Sequence, residues 1–281
     1  VPAPIGNPSA ASLPRSVSDR ARFVRLGPDG VPALLAHPDW ATPSPFCLWL
    51  HGRTAAKEID PGRYSRWLRA GIAVCAIDLP GHGKRDGPIR HEPIHTLAAI
   101  REAVGEIDGI LGALENGESR GLFDPSRAAI GGMSMGGMVA LRRLCEAHRF
   151  VCAAVEATTG NLKDLYFPPP EDRAEPWPVD HDRAEVASID PSEHLAGFEP
   201  IPLLVMHSEA DRMIPWRVQA RFIDRLRTHY EARGLPASMV ETRTWPDTGA
   251  PGEHIGFGRV SNDAKNIQTD FLARHLGAQP R

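Results

Sequence analysis

The chain has 281 residues, 42% of them hydrophobic and 24% charged, with a formal net charge of −3. That balance is ordinary for a soluble globular protein, and its basic residues are scattered rather than clustered, which argues against a nucleic-acid partner. Its apolar runs fall well short of the ~20 residues needed to cross a bilayer, so no membrane span is expected.

Residues 1–20 are rich in Pro, Ala and Ser without periodicity and predict a flexible arm ahead of a single domain over residues 21–281. The pieces RFVRL (22–26) and VPALLAH (31–37), split by Gly27-Pro28-Asp29-Gly30, predict a strand, a turn and a strand. From Phe46 onward the pattern changes to near-continuous apolar runs: FCLWL (46–50), IAVCAID (72–78), RAAIGG (127–132), VCAAVEA (151–157) and PLLVMH (202–207). SMVETRTW (238–245) is a more alternating sixth.

Runs of this kind are strands buried on both faces, as in a parallel sheet covered by helices. Helices are predicted between them at 61–70, 94–115, 135–148, 215–233 and 262–276. The alternation points to an α/β fold, a mostly parallel, doubly wound sheet with an antiparallel N-terminal edge. Residues 159–200 break the rhythm with a run of prolines and with Tyr166, Phe167 and Trp177 among charges. They predict a cap-like insertion whose aromatics either wall a substrate pocket or anchor the insertion to the body.

The cysteines Cys47, Cys75, Cys145 and Cys152 each sit among apolar neighbours and predict buried free thiols rather than a disulfide scaffold. A cytoplasmic protein is the expectation from that usage.

The stretch GGMSMGG (131–137) places Ser134 between two methionines and four glycines. Glycine weakens helices and strands, so something here requires bare backbone. Gly132-Met133-Ser134-Met135-Gly136 fits G-x-S-x-G at the end of a predicted strand and the start of a predicted helix. In such an elbow a side chain two residues before or after the serine collides where strand and helix pass, and the hydroxyl projects above the sheet's carboxyl edge. Met133 and Met135 are read as packing around it.

A serine hydroxyl is a poor nucleophile without a base, and the base needs an acid to orient it, in the order Ser, acid, His for this fold. The segment after PLLVMH offers Glu209 and Asp211, and Asp211 is the chosen acid. Glu209 and Glu156 are weaker alternatives, and Asp247 reads as a turn residue. The segment after SMVETRTW offers His254 as the base. The loop after FCLWL reads His51-Gly52-Arg53-Thr54, where Gly52 permits a sharp turn. The Arg53 amide is assigned as one oxyanion donor and the Met135 amide, at the helix start, as the other.

Taken together, LWLHGRTAAKE, AIDLPGHGKR, GGMSMGGM, HSEADRMIP and the His254 loop resemble the α/β-hydrolase superfamily over about residues 46–276. Within it they look most like the dienelactone-hydrolase and prolyl-oligopeptidase-like branch that contains small bacterial carboxylesterases. The resemblance implies an α/β-hydrolase fold with Ser134 as nucleophile, Asp211 as acid, His254 as base and the Arg53 and Met135 amides as oxyanion hole. Dienelactone hydrolases carry cysteine where this chain has Ser134, and the HGGG loop of some lipases is absent.

HEPIH (91–95) matches the H-E-x-x-H zinc signature, but Pro93 keeps His91 off the helix that carries His95, so no metal is expected. Asp78, Gly81 and His82 in DLPGHG read as a shaped turn. The expected activity is hydrolysis of a small-molecule ester without a cofactor. A peptidase or amidase, or a non-catalytic binding protein on the same fold, are the alternatives.

Overall fold

The computed structural model describes residues 13–85, 89, 91–172 and 177–280. Eight strands form one sheet in the order β1-β2-β4-β3-β5-β6-β7-β8. They are β1 (Ala21–Leu26), β2 (Val31–Ala36), β3 (Ser44–Leu50), β4 (Ala73–Ile77), β5 (Phe123–Met133), β6 (Cys152–Glu156), β7 (Leu203–Ser208) and β8 (Val240–Trp245). β1 pairs with β2, and β2 with β4, antiparallel; all other pairs are parallel. This is the α/β-hydrolase arrangement expected from the sequence.

The continuous apolar runs explain the layering. Every residue of β3, β4, β6 and β7 is buried, because helices cover both faces. One face packs against α3 (Thr96–Asn116), α4 (Met135–Arg143) and α7 (Trp216–Ala232), through Ile100, Leu141 and Phe222 among others. The other packs against α2 (Pro61–Arg69) and α8 (Ser261–Leu276), through Trp67 and Leu272. The outer strands β1 and β8 expose charged side chains such as Arg22, Arg25 and Arg243, which discourages pairing with another chain.

The flexible arm expected over residues 1–20 does not reach residue 20. Residues 1–12 lie outside the described residues, but Arg15–Ser18 forms a single turn of helix, α1, and Val17 is fully buried beside Trp67 and Leu68. One apolar side chain seated against α2 is enough to order a segment whose composition alone reads as loose. Helix α4 also ends earlier than the predicted 148. Past Arg143 the amide of Cys145 bonds back only three residues, to Arg142, and the Cys145 carbonyl is crowded by Gly197 from the insertion.

Within 159–200, where the sequence shows no helical periodicity, two short helices form, α5 (Leu162–Tyr166) and α6 (Arg183–Ile189). Asn161 caps the first by accepting from the Asp164 amide, and Asp182 caps the second by accepting from Glu185. Val186, Ile189 and Phe198 are buried in the core. The four cysteines are free and buried.

Candidate active site

Ser134 stands where β5 ends and α4 begins, with φ 53° and ψ −120°, a conformation that costs a non-glycine residue energy. Its neighbours hold it there. The Ser134 amide donates to Glu156 O at 3.0 Å, and its carbonyl accepts from Thr158 Oγ1 at 2.7 Å. A Cβ on Gly132 would lie 2.4 Å from the Gly136 carbonyl carbon, which is the expected strand–helix collision. A Cβ on Gly136 would lie 2.1 Å from Leu50 O, so the helix also passes against the end of β3.

His254 arrives on the loop after β8. Its Nε2 lies 2.9 Å from Ser134 Oγ and its Nδ1 lies 2.7 Å from Asp211 Oδ2. Since the carboxylate accepts from Nδ1–H, the bare Nε2 accepts from the serine hydroxyl. Asp211 is itself fixed, because its Oδ1 accepts from the Met213 and Ile214 amides, each at 2.8 Å. Ser134, Asp211 and His254 are all nearly buried. The other acid candidates stand elsewhere. Glu209 is exposed and accepts from Thr244 Oγ1 at 2.7 Å, Glu156 pairs with Arg63, and Asp247 pairs with Arg259.

The loop after β3 passes Ser134 closely: a Cβ on Gly52 would sit 3.4 Å from Ser134 Cβ. His51 sets its course. The Leu79 amide donates to His51 Nε2 at 3.1 Å, so the proton is on Nδ1, which donates to Gly52 O at 2.7 Å. That bond fixes the plane of the Gly52–Arg53 peptide. Burial, with His82 nearby, lowers the His51 pKa to about 4. Met135 is the first residue of α4, where an amide has no intrahelical acceptor.

A cavity opens beside these groups. Trp49, Arg53, Asp60, Arg63, Glu156 and Met213 line it together with Ser134 and His254. Its floor is a charge cluster in which Arg63 and Glu156 are buried and Asp60 and Lys265 half-buried. Arg63 donates to Glu156 Oε1 at 2.6 Å and to Asp60 Oδ2 at 3.0 Å, and also to Gln268 Oε1. Lys265 reaches Asp60 at 3.0 Å, and the Arg63 guanidinium lies 4.2 Å from the centre of the Trp49 ring. Burial raises the Glu156 pKa from its ordinary value, with Arg63 opposing that shift.

Tyr166, Phe167 and Trp177 are not among the residues lining this cavity. Tyr166 packs edge-on against Trp177 and His181, at 5.3 and 4.6 Å between ring centres, while Arg183 sits over Phe167 at 4.1 Å. All three pack on the core, and these contacts are those of the anchoring role. The polar floor was not anticipated. Its members come from β6, from the first turn of α2 and from α8, which meet only in the folded chain.

The discounted signals also have places. Pro93 opens a short turn of helix over Pro93–His95, with His91 ahead of it, and among the described residues no group of three His, Cys, Asp or Glu is arranged to hold a metal. Asp78 accepts from Lys57 Nζ at 2.7 Å and from the Lys57 and Lys84 amides, tying a turn together. No helix among the described residues is long and apolar enough to cross a membrane.

Residues 63–279 match the model of the prolyl oligopeptidase family. The chain belongs to that family. It is accordingly a serine hydrolase of the α/β-hydrolase fold. Esterase YjfP of Escherichia coli (strain K12) is 28% identical over 193 residues, which span 66% of this chain and 76% of that protein. Two solved structures share the fold. TT1662 from Thermus thermophilus superposes with a TM-score of 0.68 at 23% identity, over 92% of this chain and 100% of its own. The Pyrococcus furiosus esterase Pf2001 does so with 0.67 at 18% identity, over 97% and 98%.

Proposed function

We propose that this prolyl oligopeptidase family member is a serine carboxylesterase that hydrolyses small carboxylic esters through an acyl-enzyme on Ser134. The observation that carries the reading is the unbroken run of hydrogen bonds from Asp211 through His254 to Ser134 Oγ at the edge of a cavity. His254 Nε2 takes the hydroxyl proton as Oγ attacks the ester carbonyl. Asp211 holds the imidazole in the required tautomer and stabilises the imidazolium. The Arg53 and Met135 amides receive the oxyanion; removing one such donor costs about 10²–10³ in rate. His254 then protonates the departing alcohol, and afterwards draws a proton from the water that frees the acid. No step calls for a cofactor or metal.

The likeness to Esterase YjfP supports an ester over an amide substrate. The family description favours a second reading, peptide or amide hydrolysis. Exposure to 4-nitrophenyl acetate and to an aminoacyl 4-nitroanilide separates the two. Turnover of the ester with little of the anilide is the expected result, and the opposite preference overturns it. A fluorophosphonate probe should label the wild type and not S134A, and an unlabelled wild type means the site is inert.

A further inference from the structure

Among the described residues, Glu156 Oε2 is the one fully buried carboxylate oxygen without a hydrogen-bond partner. Three other buried carboxylates have both oxygens engaged: Asp211 by His254 and two amides, Asp78 by Lys57 and Lys84, and Asp190 by Ser192 and Lys163. An unpaired buried acceptor costs free energy, and one on a residue that lines a substrate cavity is a place for an incoming donor. Glu156 is 2% exposed and lines the same cavity as Ser134 and His254.

We propose that Glu156 is the specificity-determining residue of this pocket, and that its free oxygen receives a neutral hydrogen-bond donor, a hydroxyl or amide N–H, carried by the substrate. The inference rests on the esterase reading and names the substrate class for that site: esters with a polar, uncharged donor on the group that enters the floor.

Charge decides between a neutral and a cationic donor. Glu156 and Asp60 are balanced by Arg63 and Lys265, which contact them directly. An ammonium added to that set would be a buried cation without a counter-ion, and the half-buried Arg53 on the cavity wall would repel it further. A hydroxyl satisfies Oε2 and leaves the balance untouched. The walls beside it, Trp49 and Met213, are apolar, so such a donor finds few competing acceptors. Gln268 Nε2 is likewise unpartnered and belongs to the same cluster, bonded to Arg63 through its oxygen, but it does not line the cavity.

The test uses two matched ester series. One comprises 4-nitrophenyl esters of phenylacetic and 3-phenylpropionic acids, and the other acetates of benzyl alcohol. Each carries para hydrogen, hydroxyl, methoxy or aminomethyl, and kcat/KM is compared in the wild type, E156L and E156Q. In at least one series the wild type should favour hydroxyl over hydrogen and methoxy by about tenfold or more, the range of a hydrogen bond to a charged acceptor. It should not favour aminomethyl. E156L should bring the hydroxyl-to-hydrogen ratio close to one. E156Q keeps an acceptor for Arg63 and puts an amide donor where Oε2 stood, so it should shift preference from hydroxyl toward methoxy; it serves also if E156L does not fold. Equal rates for hydroxyl and hydrogen in every series, as an internal bond from Gln268 would produce, overturn the inference. So does a hydroxyl preference that survives both substitutions, or a preference for aminomethyl. All of these outcomes leave the esterase reading standing, whereas no turnover of any ester by the wild type overturns that reading and this inference together.

Discussion

Glu253 and Thr248 close the loop that carries His254: the Thr248 amide and hydroxyl both donate to Glu253 Oε2, at 2.6 and 2.7 Å. The same oxygen accepts from Ser208 Oγ at 2.9 Å, and Oε1 accepts from the Gly249 amide at 2.7 Å. The histidine loop is thereby pinned to the end of β7, the strand that leads to Asp211. The Thr248 bonds, with help from Gly249 and Ser208, lower the Glu253 pKa to about 2.

A depressed carboxylate stabilises this loop fully above the ordinary carboxylate pKa, and loses that effect as pH falls through about 2. E253Q removes the charge at every pH. Hydrogen exchange at the Thr248 and Gly249 amides should speed up in the variant at neutral pH. Its kcat should fall by up to about 10², the cost of misplacing a reacting group by an ångström, with less change in KM.

The two acidic residues after β7 give opposite expectations. Asp211 is buried against His254, whereas Glu209 is exposed and bonded to Thr244. D211N should lower kcat by about 10³–10⁴, because the amide cannot hold the imidazole in the working tautomer. E209Q should stay near the wild type. Steady-state kinetics on one ester ranks the two, and the reverse order would move the acid to Glu209.

Gly136 has no room for a methyl group, since a Cβ would overlap Leu50 O at 2.1 Å and that acceptor is backbone. G136A should cost about 1–3 kcal/mol or more through forced movement of α4 against β3. At roughly 2–4 °C per kcal/mol for a chain of this size, thermal unfolding should shift down by several degrees. The same movement carries Ser134 off its position, so activity should fall even below the melting transition.

His51 makes folding sensitive to mild acid. Burial lowers its pKa from 6.5 to about 4, so between those values the unfolded chain binds a proton that the folded one refuses. The stabilisation is complete above about pH 6.5 and drains away as pH falls toward 4. Urea midpoints should decline across that window. H51N, which keeps a donor for Gly52 and removes the titrating ring, should show a shallower decline.

The fold and the three hydrogen-bonded side chains were legible because each left a local mark. Strands such as FCLWL and IAVCAI are apolar throughout because both faces are covered. The glycines at 132 and 136 report a close passage of backbone, and Asp211 and His254 follow the strands that must precede them. The insertion was harder to read. Its helices are short, although Asn161 with Asp164 and Asp182 with Glu185 carried capping signals. The polar floor was illegible for a different reason. Asp60 and Arg63 look like ordinary helix-start charges, Glu156 stands out only as an alternative acid, and only tertiary packing brings the three together. Aromatics in the insertion drew attention because they are large, yet large apolar side chains anchor loops as readily as they wall pockets.

The cluster beneath the serine extends beyond the elements that carry the reacting groups. Arg63 and Asp60 belong to the start of α2, a helix that contributes nothing to the bonds among Ser134, His254 and Asp211. Exchanges along that first helical turn therefore offer a route to altered selectivity that leaves the chemical step in place. Directed libraries aimed at retuning this protein belong at residues 59–63.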